Sequence, residues 1–168
     1  GQKFNISIAH IAAAFAAELP NQGTSGESFK VNGLNTWADV DAYVAKATGS
    51  AVIGLPAQPL QVMVPPPTSG TRDAMGSLFM KAGWKKLGLE GNGYKKLRED
   101  GRAIEVGEND ALIIEMLVAD KNMFGIFGYS FFDQNRDKVQ AAILDGVELN
   151  FENIASYKYP GARPLFFY

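Results

Sequence analysis

"LQVMVPPPTSGTRDAMGSLFM", residues 60–80, joins two kinds of secondary structure at a sharp corner. Leu60–Val64 has the length and the apolar residue types of a buried strand. The prolines at 65–67 cannot belong to a helix interior, and small polar residues follow them. Apolar residues then recur at helical spacing from Met75 to Trp84. The stretch therefore predicts a strand, a stiff corner and a helix that begins near Ser69.

The corner has the chemistry of an anion site. The first amides of a helix lack partners within the helix, and its positive dipole end favours a negative charge by about 0.3–1 kcal/mol. Gly70 lets the backbone approach a ligand closely, Ser69 and Thr71 add hydroxyl groups, and Arg72 offers a planar fork suited to phosphate-like oxygens. A second interpretation stays open: Thr68 or Ser69 only caps the helix, and Arg72 points to solvent.

Strand and helix patterns alternate along the rest of the chain, which predicts an α/β domain whose sheet is covered by helices. In such sheets, ligands collect where strands end and helices begin. The predicted segments are a helix capped by Ser7 and running from Ile8 to Leu19, a surface loop at 21–33, a helix at 36–44 capped by Thr36, a strand at 103–106, a helix capped by Asn109 or Asp110 that continues through Leu117, a central strand within 123–132, and extended segments at 139–144 and 164–168.

Composition excludes several function classes. The 168 residues suit one domain, and a net charge of -2 offers no basic field for nucleic acid. With no cysteine and the single histidine His10, we expect no transition-metal site. The glycines form neither a nucleotide-binding nor a dinucleotide-binding motif, so we expect no cofactor. No apolar run is long enough to span a bilayer.

Catalysis is also disfavoured. Ser69 lacks the flanking glycines of a nucleophile elbow, and His10 is the only imidazole that could serve as a base. A serine–lysine pair is not excluded by counting residues, but no lysine stands at helical spacing from Ser69. We therefore expect a protein that is not an enzyme.

Three motifs occur in an order that resembles a known family: "PPPTSGTRDAM", "EVGENDALIIEMLVADKNMFGIFGYSFFDQNRDKVQ" and "IASYKYPGARPLFFY". Together they resemble the periplasmic phosphate-binding proteins of phosphate ABC transporters, the PstS family. The likeness runs from Ser7 nearly to the C-terminus and is weak between Gln22 and Leu55.

The resemblance implies a periplasmic-binding-protein fold of type II, with a mixed central sheet covered by helices. Family members clamp phosphate between two lobes, and this chain resembles the central stretch that forms the second lobe. It implies one lobe over residues 1–168, with a loop-rich insertion at 21–59. It also implies three partners: inorganic phosphate, a first lobe supplied by the same protein, and an ABC permease of the inner membrane. The implied location is periplasmic, and the chain is expected to be an excised domain or part of a longer protein.

Carried over residue by residue, the family's phosphate contacts fall on Ser69, Gly70 and Thr71. Prolines occupy the positions of an arginine that many members have before the serine, so Arg72 is the candidate cation. Thr68, Asp73 and Asn109 are candidates for supporting contacts, while the family's proton-accepting aspartate has no counterpart here. Two alternatives remain: another tetrahedral oxyanion such as sulfate or arsenate, and an interaction or sensory module that binds no oxyanion.

Overall fold

The computed structural model describes residues 4–21, 28–107 and 109–162. Within these ranges, the α-helices are α1 (Ile8–Phe15), α2 (Trp37–Thr48), α3 (Gly70–Ala74), α4 (Ala82–Lys86), α5 (Asp110–Ala119), α6 (Tyr129–Gln134) and α7 (Phe151–Ala155). The strands are β1 (Asn5–Ile6), β2 (Glu18–Pro20), β3 (Phe29–Val31), β4 (Val62–Val64), β5 (Ala103–Glu105), β6 (Phe124–Gly125) and β7 (Ile143–Leu144). A 3₁₀ turn occupies Gly93–Lys95.

These strands form small sheets packed among helices, which confirms the α/β class. The central sheet is parallel and has the order β5-β4-β6, with Met63 opposite Ile104 on one side and Gly125 on the other. The other two are a parallel pair of β1 with β7 and an antiparallel pair of β2 with β3. Parallel and antiparallel pairing thus occur in separate sheets rather than in one mixed sheet.

Helix α1 is the centre of the core, because all of its residues are buried. Alanine dominates its sequence, so neighbouring elements can approach its backbone closely from every side. It packs against α2, α4 and the segment between α3 and α4. A helix buried on all sides cannot leave its terminal polar groups to solvent, so both ends need partners from the protein.

Two buried polar side chains satisfy the C-terminal end of α1. The side-chain amide of Asn32 donates to the carbonyls of Ala13 and Ala16, each at 2.8 Å. The Arg98 guanidinium donates to the Ala14 carbonyl at 3.1 Å and is held by Asp100 through a 2.6 Å contact. The charge of this buried arginine is thereby paired, and its other donors are used on backbone oxygens.

The N-terminal end of α1 is capped by Ser7 and His10. The Ser7 amide donates to His10 Nδ1 at 3.1 Å, and the Ser7 hydroxyl lies 2.7 Å from the same nitrogen. An accepting Nδ1 carries no proton, so the imidazole hydrogen is on Nε2, which faces Asp41 Oδ1 at 3.5 Å. Asp41 is itself fixed by the backbone amides of residues 53–55.

Helix α4 touches α1 at Gly83. A Cβ atom added to Gly83 would lie 2.5 Å from the Ile8 carbonyl oxygen and 2.6 Å from the Ala12 Cβ. Only glycine therefore permits this contact. Since α4 is the far end of the helix that begins at Ser69, the contact at Gly83 anchors that helix on the core.

The helix from Gly70 to Lys86 is continuous but changes pitch in its middle. Residues Met75–Lys81 are π-helical, between α3 and α4. Met75 and Met80, one π turn apart, are both buried, and Trp84 follows one α turn later. The wider turn brings these large side chains into one line against the core. The sequence pattern predicts the helix but gives no indication of the π segment.

The structure corrects two predicted boundaries. Helix α1 ends at Phe15 rather than at Leu19, because Glu18–Pro20 forms strand β2 with Phe29–Val31. The segment 123–132 is not a central strand: only Phe124–Gly125 pairs, at the edge of the sheet, and α6 begins at Tyr129. The predicted strands at 60–64, 103–106 and 139–144 appear as the shorter β4, β5 and β7.

The caps of Ser7, Thr36 and Asn109 are confirmed. Part of the predicted loop, residues 22–27, lies outside the described residues, as does the extended segment 164–168. The predicted insertion at 21–59 contains β3 and α2 among its described residues, and its status as an insertion remains a prediction.

We expect Gly83→Ala to destabilise the protein by about 1–3 kcal/mol, because the new methyl group overlaps the α1 backbone. Urea denaturation of the purified chain measures this change. Gly76→Ala, in the same helix with nothing within 4 Å of the added carbon, is the matched control. It should leave stability unchanged or raise it by up to about 1 kcal/mol. Equal effects of the two substitutions would contradict the close contact.

We also expect stability to fall as the pH drops below 6.5. Burial lowers the pKa of His10 below its ordinary value of 6.5, and the Asp41 and Asp145 carboxylates offset this only in part. The unfolded chain therefore takes up this proton first, so the contribution is complete above pH 6.5 and is lost as the pH falls toward the folded pKa.

His10→Gln is the matched variant, since glutamine can also accept from the Ser7 amide but does not titrate. Urea midpoints measured at several pH values should fall less steeply for His10→Gln just below pH 6.5. Burial alone would raise the pKa of Asp41, but its backbone donors outweigh burial and bring it below 3.8, so its titration lies outside that window. Equal slopes in both proteins would rule out His10 as the cause.

Candidate functional site

The candidate site lies at the carboxyl edge of the central sheet. Because β4, β5 and β6 are parallel, the chain leaves all three strands at the same edge. Pro65 follows β4, Val106 follows β5 and Ile126 follows β6. The Val106 amide donates to the Val64 carbonyl at 3.0 Å, which holds two of these exits together. This is the place where α/β sheets bind ligands.

The corner after β4 folds as the sequence predicts. The Ser69 amide donates to the Pro66 carbonyl at 3.0 Å, which closes a turn over the prolines. Ser69 is the N-cap of α3, and its hydroxyl oxygen accepts from the Arg72 amide at 3.0 Å. The amides of Gly70 and Thr71 donate to no described residue. Two backbone donors that have no partner among the described residues therefore stand at the positive end of a helix, next to the strand termini.

Arg72 turns back toward the strands and not outward into solvent. Its Nη1 donates to the Pro65 carbonyl at 2.7 Å and lies 3.9 Å from Glu105 Oε2, at the end of β5. Its side chain is 23% exposed. The guanidinium is thus fixed at the sheet edge while its remaining N–H groups stay available. The interpretation in which Arg72 points to solvent is wrong.

The other candidate residues take supporting positions or other roles. Asn109 caps α5, its side-chain oxygen accepting from the Ala111 amide at 3.1 Å and the Leu112 amide at 3.4 Å. Asp73 is exposed in the first turn of α3, where its charge opposes an incoming anion as well as suiting the helix dipole. Thr68 precedes the cap and has a contact within the chain.

Two cavities flank the helix that starts at Ser69. One, of about 320 Å³, runs beside Arg72, Asp73 and Ser77 and continues to Lys81. The other, of about 830 Å³, is mainly apolar and has Thr71 at its margin. Arg72 therefore lines a cationic recess, and the neighbouring Thr71 lines an apolar groove.

A serine–histidine–aspartate series of contacts occurs elsewhere, at Ser7, His10 and Asp41. The imidazole there accepts from the Ser7 amide as well as facing its hydroxyl, which makes it part of a helix cap. His10 and Asp41 are buried, and Ser7 lines neither cavity. These contacts stabilise α1 and provide no place for a substrate.

Within residues 4–21, 28–107 and 109–162, no three histidine or carboxylate side chains are grouped as a metal site would require. The helices in those same ranges are all too short or too polar to cross a bilayer.

Sequence reasoning missed Glu105, which ends the neighbouring strand and lies beside Arg72. The available signal was the parallel pairing of β4 with β5, which puts the last residues of both strands at one edge. It also missed the role of Pro65, whose carbonyl holds Arg72. The contact with Glu105 depends on strand register, and the contact with Pro65 depends on how the corner turns, and the local sequence specifies neither.

Comparison with known proteins agrees with the resemblance found in the sequence. The chain superimposes on PstS from Borrelia burgdorferi with a TM-score of 0.62 and 15% identity, over 94% of this chain and 48% of that one. It is 29% identical to Protein SphX of Synechococcus elongatus over 119 residues, which is 67% of this chain and 31% of SphX. No family model matches. The chain therefore has the fold of a PstS-like fragment and spans half or less of the relatives it matches.

We expect Ser69→Ala to cost about 1 kcal/mol of stability, because the Arg72 amide loses its cap. Urea denaturation gives the change, with Ser77→Ala as the control. The Ser77 hydroxyl bonds only to carbonyls of the preceding turn, so its removal should change stability by less than about 0.5 kcal/mol. A Ser69→Ala protein as stable as the Ser77→Ala protein would show that the cap contributes nothing.

Proposed function

We propose that this chain is a non-enzymatic solute-binding lobe that receives inorganic phosphate at Ser69, Gly70, Thr71 and Arg72. The observation that carries the proposal is the pair of Gly70 and Thr71 amides, which donate to none of the described residues, beside a guanidinium fixed at the sheet edge. By its likeness to PstS, the lobe belongs to a periplasmic protein that delivers phosphate to an ABC permease of the inner membrane.

The donors match the oxygens of a tetrahedral anion. The Gly70 and Thr71 amides supply two N–H groups, and the Thr71 hydroxyl supplies a third donor. The Ser69 oxygen already accepts from the Arg72 amide, which leaves its hydroxyl hydrogen to donate. Arg72 uses Nη1 on the Pro65 carbonyl and keeps further N–H groups for a phosphate oxygen.

Glu105 is a second, weaker partner of Arg72 before a ligand arrives. Its carboxylate is 55% exposed and lies 3.9 Å from the guanidinium, so this ion pair is weak and easily exchanged. A phosphate at the helix N-terminus offers Arg72 a partner of higher charge. The Pro65 carbonyl meanwhile keeps the guanidinium from moving away, which reduces the entropy lost on binding.

One lobe supplies only part of a binding site. Residues 69–72 leave the other side of an anion exposed to water, where each contact is weakened by solvent. We therefore propose that a second lobe of the same protein completes the site, and that the 168-residue chain alone binds phosphate weakly. The coverage of 48% of the Borrelia burgdorferi PstS chain supports this proposal.

Calorimetric titration with phosphate tests the site. We expect Arg72→Ala to weaken phosphate binding at least fivefold to tenfold, on the order of the 1–1.5 kcal/mol of a charge-assisted contact. Arg136→Ala removes the same charge from an exposed residue of another segment and should leave the affinity unchanged.

Ser69→Asp separates binding from capping, because aspartate also caps a helix but puts a negative charge where the phosphate lies. This variant should keep the stability of the natural chain and lose phosphate binding. Undiminished affinity in both Arg72→Ala and Ser69→Asp would refute the proposed site. Sulfate that binds as tightly as phosphate at neutral pH would keep the oxyanion site and remove its selectivity.

A further inference from the structure

The recess on one side of the site helix is lined by three cationic side chains that are spread along its length. Arg72, Lys81 and Lys95 line it, and Asp73 is the one acidic side chain among its described lining residues. Neither lysine pairs with a described carboxylate. Surface lysines without partners along a recess create a local positive potential that attracts anions.

The recess is elongated along the helix. Arg72, Gly76 and Lys81 mark successive turns of one helix face, and Lys95 approaches from the 3₁₀ turn opposite. Gly76 has no atom within 4 Å of the position of a Cβ, so this face offers open space between the two ends. The buried Met75 and Met80 form an apolar floor, which lowers the local dielectric and strengthens charge interactions above it.

Arg72 belongs to both the recess and the proposed phosphate site. Its guanidinium is fixed at the sheet edge by Pro65, and its side chain lines the upper end of the recess. An anion held by the Ser69–Thr71 turn therefore has a cationic path that starts at Arg72 and leads to Lys81 and Lys95.

We propose that this recess binds the additional phosphoryl groups of a condensed phosphate whose terminal group occupies the Ser69–Arg72 site. The inference rests on the proposed function and adds a ligand class to it. Pyrophosphate and tripolyphosphate are linear, with negative charge on every unit, which suits cations placed along a helix face. The recess volume of about 320 Å³ exceeds the needs of one tetrahedral anion.

An acidic peptide is the competing ligand for a cationic recess. Its carboxylates are spread on flexible side chains, and its backbone amides need partners of their own. Apolar residues form the floor of the recess, and the Ser77 hydroxyl is directed to carbonyls of its own helix. Among the described lining residues, Tyr94 keeps a hydroxyl that could bond a peptide, but three cations stand against the single carboxylate of Asp73. This excess of positive charge favours a compact inorganic chain with a negative charge on every unit.

The test compares orthophosphate with tripolyphosphate by calorimetry on the full 168-residue chain in metal-free buffer. Tripolyphosphate should bind at least about fivefold more tightly, with an advantage that declines as salt is added. The double variant Lys81→Met, Lys95→Met should lose roughly tenfold in tripolyphosphate affinity and stay within about twofold for orthophosphate. The control Lys85→Met, Lys158→Met removes equal charge from lysines outside the recess and should change neither affinity.

Each outcome decides a different point. Orthophosphate binding without any gain for tripolyphosphate overturns the inference and leaves the proposed function in place. Equal losses in the recess variant and its control show that only net charge matters, and also overturn it. A polyglutamate peptide that competes as well as tripolyphosphate identifies the recess as a peptide site. Because one lobe alone is expected to bind weakly, both phosphates are titrated to millimolar concentrations, and absence of binding by both at those concentrations removes the proposed function itself.

Discussion

The burial of helix α1 depends on two side chains that donate hydrogen bonds to its C-terminal carbonyls. Asn32 and Arg98 donate to the oxygens of Ala13, Ala14 and Ala16 inside the core, where water is excluded. Each carbonyl left without a donor would cost about 1–3 kcal/mol. Because these donors are present, α1 can be covered on every side, and α2 and α4 pack directly on its small residues. The positions of α2, α4 and the π-helical segment therefore depend on α1 being buried.

The candidate site is linked to this core through one helix. The end of that helix packs on α1 at Gly83. Its start lies at the carboxyl edge of the parallel sheet. The site thus takes its position from two constraints that do not involve a ligand: a close backbone contact at one end and a strand terminus at the other. Arg72 joins the two, since it is part of the helix and is held by the strand exit at Pro65.

The sequence predicts those features that depend on near neighbours. The strand before the prolines, the cap at Ser69 and the cap at Asn109 each follow from residue types a few positions apart. The end of α1 does not, because helical spacing continues to Leu19 and only pairing with Lys30 converts it to strand. The partnership of Arg98 with α1 and that of Glu105 with Arg72 likewise join distant parts of the chain. Local pattern gives the residues of the site, whereas strand register and packing give their orientation.

The direction in which the Arg72 side chain leaves the helix depends on the π-helical segment from Met75 to Lys81. Each residue of an α-helix advances the chain by about 100° around the axis. A wider π turn therefore rotates the side chains of α3 relative to those of α4. With Gly83 locked on α1, the direction of the Arg72 side chain is set by how many residues separate the two. Removal of one residue from this segment would turn Arg72 by about 100° away from Pro65 while Gly83 stayed on α1. The number of residues between Arg72 and Gly83 therefore influences ligand recognition, although none of the residues in between needs to touch the ligand.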